Sequence, residues 1–128
     1  MIIFPGLIGS VARAGKTVVV PPAPLNLQIS LDFSVTWQEE EPVTDFSPIN
    51  GFMGSRTYDL RALGSGTENI FVNINNFNFS AFLSDSTITG NSTNIQLFVS
   101  YNNFGSDSAQ ITISCSGGDS IILNVSGQ

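Results

Sequence analysis

The chain has 128 residues, of which only 11% are charged, and its formal net charge is -6. This length favours one domain with its own core, and a hydrophobic share of 41% excludes a disordered chain. Four basic residues are too few for a nucleic-acid-binding patch, so we expect no direct nucleic-acid partner. An acidic surface is also repelled by anionic membranes.

Residues 1–24 are predicted to form an extended arm. Its connector contains Pro21, Pro22 and Pro24, which favour a stiff, extended chain. The apolar stretch near its start is too short to span a bilayer, and Arg13 and Lys16 follow it, whereas a signal peptide carries its basic residues first. We therefore expect a retained arm that folds back on its own domain or binds a neighbouring subunit through Ile2, Ile3, Phe4, Leu7, Ile8 and Val11.

Residues 25–37 alternate strictly between apolar and polar side chains, and every odd position from Leu25 to Trp37 is apolar. This pattern predicts one long strand with a buried and an exposed face. Trp37 ends the inward series, so core packing is its favoured role. A strand of this length is unusual in a small sandwich, and we expect it to bend between sheets or to pair with another subunit.

A long irregular loop follows, and then several shorter alternating runs. These runs centre on residues 58–62, 70–74, 77–83, 87–89, 95–101, 111–115 and 121–125, with turn signals between them. A change of parity at Asn75 and Asn76 predicts a bulge or a tight turn. About seven or eight strands without helical periodicity predict an all-β antiparallel sandwich over residues 25–128, either immunoglobulin-like or a small jelly roll.

Residue types that catalysis and metal binding need are scarce. The chain has no histidine, its only lysine is Lys16, and the alternating run around its only cysteine, Cys115, predicts a buried thiol. The acidic loop with Glu39, Glu40, Glu41 and Asp45 could offer oxygens to Ca²⁺, but a solvated charge run is favoured because its spacing matches no calcium motif. We therefore expect no enzyme, no cofactor and no metal site.

In size, composition and layout the chain resembles small structural proteins of bacteriophage virions, such as capsid decoration (cement) proteins or tail and fibre components. The resemblance implies a virion protein that binds other virion proteins and forms a homo-oligomer through arm exchange and sheet edges. The alternative is a secreted or cell-surface sandwich, either an adhesin subunit or a carbohydrate-binding module. Cleavage after Ala14 or glycan contacts at Trp37 and Tyr101 would favour that alternative, although Tyr101 lies on an apolar face typical of a core.

Overall fold

The computed structural model of the chain describes residues 23–39, 42–51 and 54–128. Nine strands lie within these ranges: β1 (Asn26–Ser30), β2 (Val43–Thr44), β3 (Gly54–Leu63), β4 (Thr67–Ile74), β5 (Phe79–Leu83), β6 (Thr87–Thr89), β7 (Ile95–Tyr101), β8 (Asp107–Cys115) and β9 (Ser120–Gly127). None of the described residues forms a helix long and apolar enough to cross a membrane. The predicted arm up to Pro22 lies outside the described residues.

The strands form two sheets that enclose one core, so the predicted all-β sandwich is confirmed. One sheet has the order β1-β3-β7-β5 and the other β2-β9-β8-β4-β6. All neighbours are antiparallel except β2 and β9, which are parallel. The orders β1-β3-β7-β5 and β9-β8-β4 match the ABED and GFC sheets of an immunoglobulin constant-type sandwich, which favours the first of the two predicted architectures.

The core lies between the sheets and takes alternate side chains from each of the long strands. Tyr58 and Tyr101 are both fully buried, as their apolar surroundings in the sequence predict. The Tyr101 ring packs on Phe79 with a centroid distance of 4.6 Å, and its hydroxyl donates to the carbonyl of Gly105 at 2.5 Å. Cys115 is a free thiol buried in the core, as predicted, and this burial raises its pKa to about 11.

The strand predicted over residues 25–37 is only partly formed, and its predicted length is wrong. β1 ends at Ser30, after which the chain reverses and Gln38 pairs with Ile29 through two backbone hydrogen bonds of 2.8 and 2.9 Å. Consequently Trp37 is half-buried on the outside of the sandwich, and the favoured core role for it is wrong.

The reversal follows from polar side chains that the alternating pattern places on the outer face of this segment. The Ser30 hydroxyl accepts from the amide of Ser34 at 2.9 Å, and the Asp32 carboxylate accepts from the amide of Thr36 at 2.8 Å. These bonds offer the backbone an alternative to a continued strand ladder. Phe33 and Ser34 take φ values of +57° and +68°, as the two central residues of a type I′ turn do, and the amide of Val35 closes the turn on the carbonyl of Asp32.

Most of the other predicted strands agree with the structure. The structure adds one strand, and it shows a turn rather than a bulge at the parity change. The parity change at Asn75 and Asn76 marks the turn between β4 and β5. The addition is β2, where Val43 packs into the core and the chain runs beside β9. A two-residue strand gives no periodicity, so the sequence shows only an irregular loop there.

Candidate functional site

The outer surface of the five-stranded sheet carries no charged side chain in any of its strands, and we call it the uncharged face. It consists of the outward side chains of β2, β4, β6, β8 and β9, because strand residues alternate between faces and the intervening residues point to the core. Its members are Thr44, Thr67, Asn69, Phe71, Asn73, Thr87, Thr89, Ser108, Gln110, Thr112, Ser114, Ser120, Ile122, Asn124 and Ser126.

The uncharged face is broad and offers mainly hydrogen-bonding groups. Its five strands, β2, β4, β6, β8 and β9, have two, eight, three, nine and eight residues and cover on the order of 500 Å² at ordinary strand spacing. Phe71 is the large exposed aromatic residue of this face, with 54% of its surface accessible. This area is somewhat more than half of the roughly 800 Å² that one partner contributes to a standard protein interface.

The outer surface of the four-stranded sheet differs, because it combines charges with an aromatic pair. Asp59 and Arg61 point outward from β3, and Phe82 and Phe98 stand opposite each other on β5 and β7 with ring centroids 5.1 Å apart. Phe82 lies on the edge strand β5 and is 58% exposed. The two outer faces are therefore chemically distinct.

Trp37 lies beside this second face in a shallow depression of about 390 Å³. The guanidinium carbon of Arg61 is 4.3 Å from the centroid of the indole ring, a cation–π contact, and Arg61 also donates to Gln28 at 2.7 Å. Glu39 accepts hydrogen bonds from Asn26 at 3.0 Å and from Gln28 at 2.8 Å. This group places an aromatic ring beside amides and a carboxylate that already bond one another.

Asp45 links the two sheets through an ion pair and a buried hydroxyl. Its carboxylate accepts from Arg56 at 2.8 Å and from Tyr58 at 2.7 Å, and both partners belong to β3 of the opposite sheet. Partial burial alone would raise the pKa of Asp45, but hydrogen bonds from Tyr58, Arg56 and the amide of Ser47 outweigh it and lower the pKa. Burial, together with the nearby Asp45 carboxylate, raises the pKa of Tyr58 far above its ordinary value.

The acidic cluster predicted from the sequence is not assembled where the structure describes it. Glu39 faces Asn26 and Gln28, whereas Asp45 faces Arg56. Glu40 and Glu41 lie outside the described residues, as do all of the arm residues predicted to bind a partner. No group of three or more histidine, cysteine or acidic side chains is close enough to hold a metal ion in the described part of the chain.

The uncharged face was missed by sequence reasoning, although a signal for it is present. The outward positions of β8 and β9 read as serine, glutamine, threonine, isoleucine and asparagine, without a single charge. Their position on one continuous surface depends on which strands are neighbours, and alternation alone does not reveal sheet order.

No protein-family model matches the chain, and no curated protein matches it in sequence. Among solved structures, the fold is similar to a protein of unknown function from Porphyromonas gingivalis W83, at 14% identity and a TM-score of 0.57 over 83% of this chain and 49% of that chain. It is also similar to the S-layer protein rSbsC, at 16% identity and a TM-score of 0.51 over 86% of this chain and 14% of that chain. The chain thus spans less than two thirds of either protein, and the likeness shows a shared fold.

Proposed function

We propose that this protein is a non-enzymatic structural subunit of a virion, of the capsid decoration or tail-associated kind, and that it packs against its neighbours through the uncharged face. The observation that supports this proposal is a broad surface without charge on a chain whose net charge is -6. The acidic side chains of the described residues lie elsewhere on the sandwich.

A surface of this kind suits permanent contacts between acidic copies. Charged side chains are depleted at the centres of protein interfaces, because burying them costs free energy that pairing must return. Serine, threonine, asparagine and glutamine can exchange water for hydrogen bonds with a neighbour, and Phe71 supplies an exposed aromatic anchor. A similar sandwich within a protein named as an S-layer protein is compatible with a structural use of this fold.

The arm is the second proposed contact. The described residues begin with Ala23 and Pro24, which are both exposed. We expect a chain that lacks residues 1–20 to join the particle at much lower occupancy than the full chain, measured by quantitative mass spectrometry of purified particles. Unchanged occupancy would remove the arm from the proposal and leave the uncharged face as the anchor.

A matched pair of threonine variants tests the uncharged face. Thr112 and Thr57 are both half-buried and both lie on interior strands, but they point outward from opposite sheets. We expect Thr112→Glu to lower the occupancy of particles by about tenfold or more, since it buries an unpaired charge, and Thr57→Glu to leave it unchanged. Equal occupancy of both variants, with circular dichroism showing both folded, would contradict the proposal.

A second candidate function is carbohydrate binding by a secreted or surface protein, and the Trp37 depression is the observation that favours it. An aromatic ring can stack on the face of a sugar ring, and neighbouring amides and carboxylates can bond its hydroxyls. Tyr101 is fully buried and takes no part in such a site. Glycan-array binding that Trp37→Ala abolishes and Phe104→Ala preserves would support this function, while no binding by the wild-type chain would exclude it.

A further inference from the structure

A sandwich of two open sheets has four edge strands, and in this protein three of them are short or blocked. Edge strands present unpaired backbone groups that can pair with another chain. β2 has two residues and β6 has three, so neither offers a long edge, although each covers only part of its neighbour, β9 or β4. β1 is blocked in a different way, and β5 is the exception.

The outward backbone groups of β1 are already bonded. The amide of Leu25 donates to the Glu68 carboxylate at 2.9 Å, and the amide of Leu27 donates to the Asp119 carboxylate at 2.6 Å. Further along the strand, Ile29 pairs with Gln38. Two acidic side chains and a folded-back segment therefore close this edge to another strand.

β5 has a strand partner on one side only among the described residues. The backbone bonds from Asn102 to Asn78 and from Ser84 to Gln96 show that even-numbered residues of β5 point their backbone groups towards β7. The amides of Ala81 and Leu83 therefore point to the free edge, where no described residue accepts from them. The carbonyl of Phe79 points the same way.

We propose that β5 is a dimerisation edge, at which two copies of the chain pair β5 with β5 antiparallel about a twofold axis at Ala81. The pairing deepens the proposed structural role and rests on its premise that copies of the chain associate. In this register the Ala81 amide of each copy donates to the Ala81 carbonyl of the other. The Leu83 amide of each copy donates to the Phe79 carbonyl of its partner copy. The free donors and acceptors of one edge thus match those of its rotated copy.

The side chains of β5 fit the same arrangement. Residues 77–84 contain no charge, no proline and no glycine, a composition that favours strand pairing. Phe82 would lie diagonally across the axis from its counterpart, about 7–8 Å away, which aromatic side chains can bridge. With the existing contact between Phe82 and Phe98, the joint would carry a continuous aromatic row from one copy to the other.

Charge and closure favour a second copy as the partner, and a discrete dimer as the product. Asp85 is the nearest acidic residue along the chain, and the register keeps the two copies of it about 27 Å apart along the strands. An isologous contact uses the same surface on both copies and therefore closes. Because the β1 edge is blocked, the joined sheet cannot extend further at its ends.

The test compares two phenylalanine variants of the full chain by sedimentation velocity over a range of concentrations. Phe82 and Phe46 are both exposed, at 58% and 87%, but only Phe82 lies on β5, and Phe46 lies outside the uncharged face as well. We expect the wild-type chain to form dimers, Phe82→Lys to raise the dimer dissociation constant by about tenfold or more through like charges near the axis, and Phe46→Lys to leave it unchanged. A wild-type chain that stays monomeric, or equal dissociation constants for both variants, would overturn the proposal.

A cysteine variant tests the register without relying on Phe82. Across a backbone-bonded antiparallel pair the Cα atoms are about 5.5 Å apart, within the range that a disulfide spans. In a glutathione redox buffer we expect Ala81→Cys to form an interchain disulfide and Ser84→Cys, which the register places roughly 20 Å from its counterpart, to remain uncrosslinked. Crosslinking of both or of neither would overturn the twofold axis at Ala81. The dimer test is separate from the virion proposal, because Phe82→Lys changes the β5 edge and leaves the uncharged face intact.

Discussion

Asp45 shows how a single carboxylate can hold the two sheets of a small sandwich together. It lies in the loop after β2 and bonds Arg56 and Tyr58 on β3, which belongs to the other sheet. A hydrogen bond to a charged partner contributes more than one between neutral groups. We expect Asp45→Asn to lower the free energy of unfolding by about 1–3 kcal/mol, measured by urea denaturation at pH 7.

The same residue gives stability a pH dependence with a defined sign. Because hydrogen bonds from Tyr58 and Arg56 overcome the effect of burial and lower the pKa of Asp45, the folded state holds the charged carboxylate better than the unfolded state does. This stabilisation is present above the ordinary aspartate pKa of about 4 and is lost as the pH falls below it. Asp32 and Asp107, whose pKa values hydrogen bonds also lower, act in the same direction.

We therefore expect the unfolding free energy of the wild-type chain to fall below about pH 4, and to fall less steeply in Asp45→Asn. Urea denaturation between pH 2 and pH 7 measures both slopes. Asp85→Asn is the control, since Asp85 is exposed and bonds only Ser84 among the described residues, at 3.4 Å. An identical pH slope for Asp45→Asn and the wild-type chain would contradict this role of Asp45.

At the scale of elements, the turn after β1 combines local strain with exposure. Phe33 and Ser34 both have positive φ, which glycine and asparagine adopt more easily than other residues, and Phe33 is 87% exposed. We expect Phe33→Asn alone to raise the free energy of unfolding by about 0.5 kcal/mol, since asparagine suits this backbone and the change keeps the hydrogen bond of 2.6 Å from Ser34 to Asp59. Thermal denaturation measures it, and a lower melting temperature would show that the Phe33 side chain stabilises the turn.

The packing of β9 against β7 depends on a glycine. A methyl group at Gly127 would overlap the ring of Tyr101, which is fully buried and fixed by its hydroxyl. Overpacking of a core costs roughly 1–3 kcal/mol, so we expect Gly127→Ala to destabilise the protein by about 2 kcal/mol or more in urea denaturation. Ser126→Ala, one residue earlier on the outer face, is expected to change stability by less than about 0.5 kcal/mol.

The elements also show what alternation in the sequence can and cannot predict. β7, β8 and β9 were predictable because each buries one face against the core, and that burial produces the alternation. The same alternation over residues 31–37 was misleading. Alternation reports side-chain polarity, whereas the reversal there depends on hydrogen bonds that backbone amides donate to the side chains of Ser30 and Asp32. β2 was too short to give a pattern.

The candidate site was less predictable than the fold, for a related reason. The uncharged face and the free β5 edge depend on sheet order, which brings together residues as distant in sequence as Thr44 and Asn124. The apolar arm and its partner contacts both stay a prediction, because the residues up to Pro22 lie outside the described ones. The place of Trp37 at the end of an apolar series predicts a core position. That prediction is wrong because the turn before Trp37 interrupts the strand.

As a whole molecule, the sandwich presents three surfaces with different chemistry. The uncharged face suits a broad contact with a neighbour, the β5 edge suits pairing with a second copy, and the remaining outer face carries Asp59, Arg61 and the Trp37 depression. Separate surfaces allow a subunit to form a dimer and to join a lattice at the same time. A structural role in a virion is our proposal for the use of that combination.

The most direct test of the structural role is an electron cryomicroscopy reconstruction of particles purified from the source of the chain. We predict density for many copies of this sandwich, with the side of the five-stranded sheet that carries Phe71 and Thr112 buried against a neighbouring protein. Particles that lack the chain, or copies whose uncharged face is open to solvent throughout, would contradict the account.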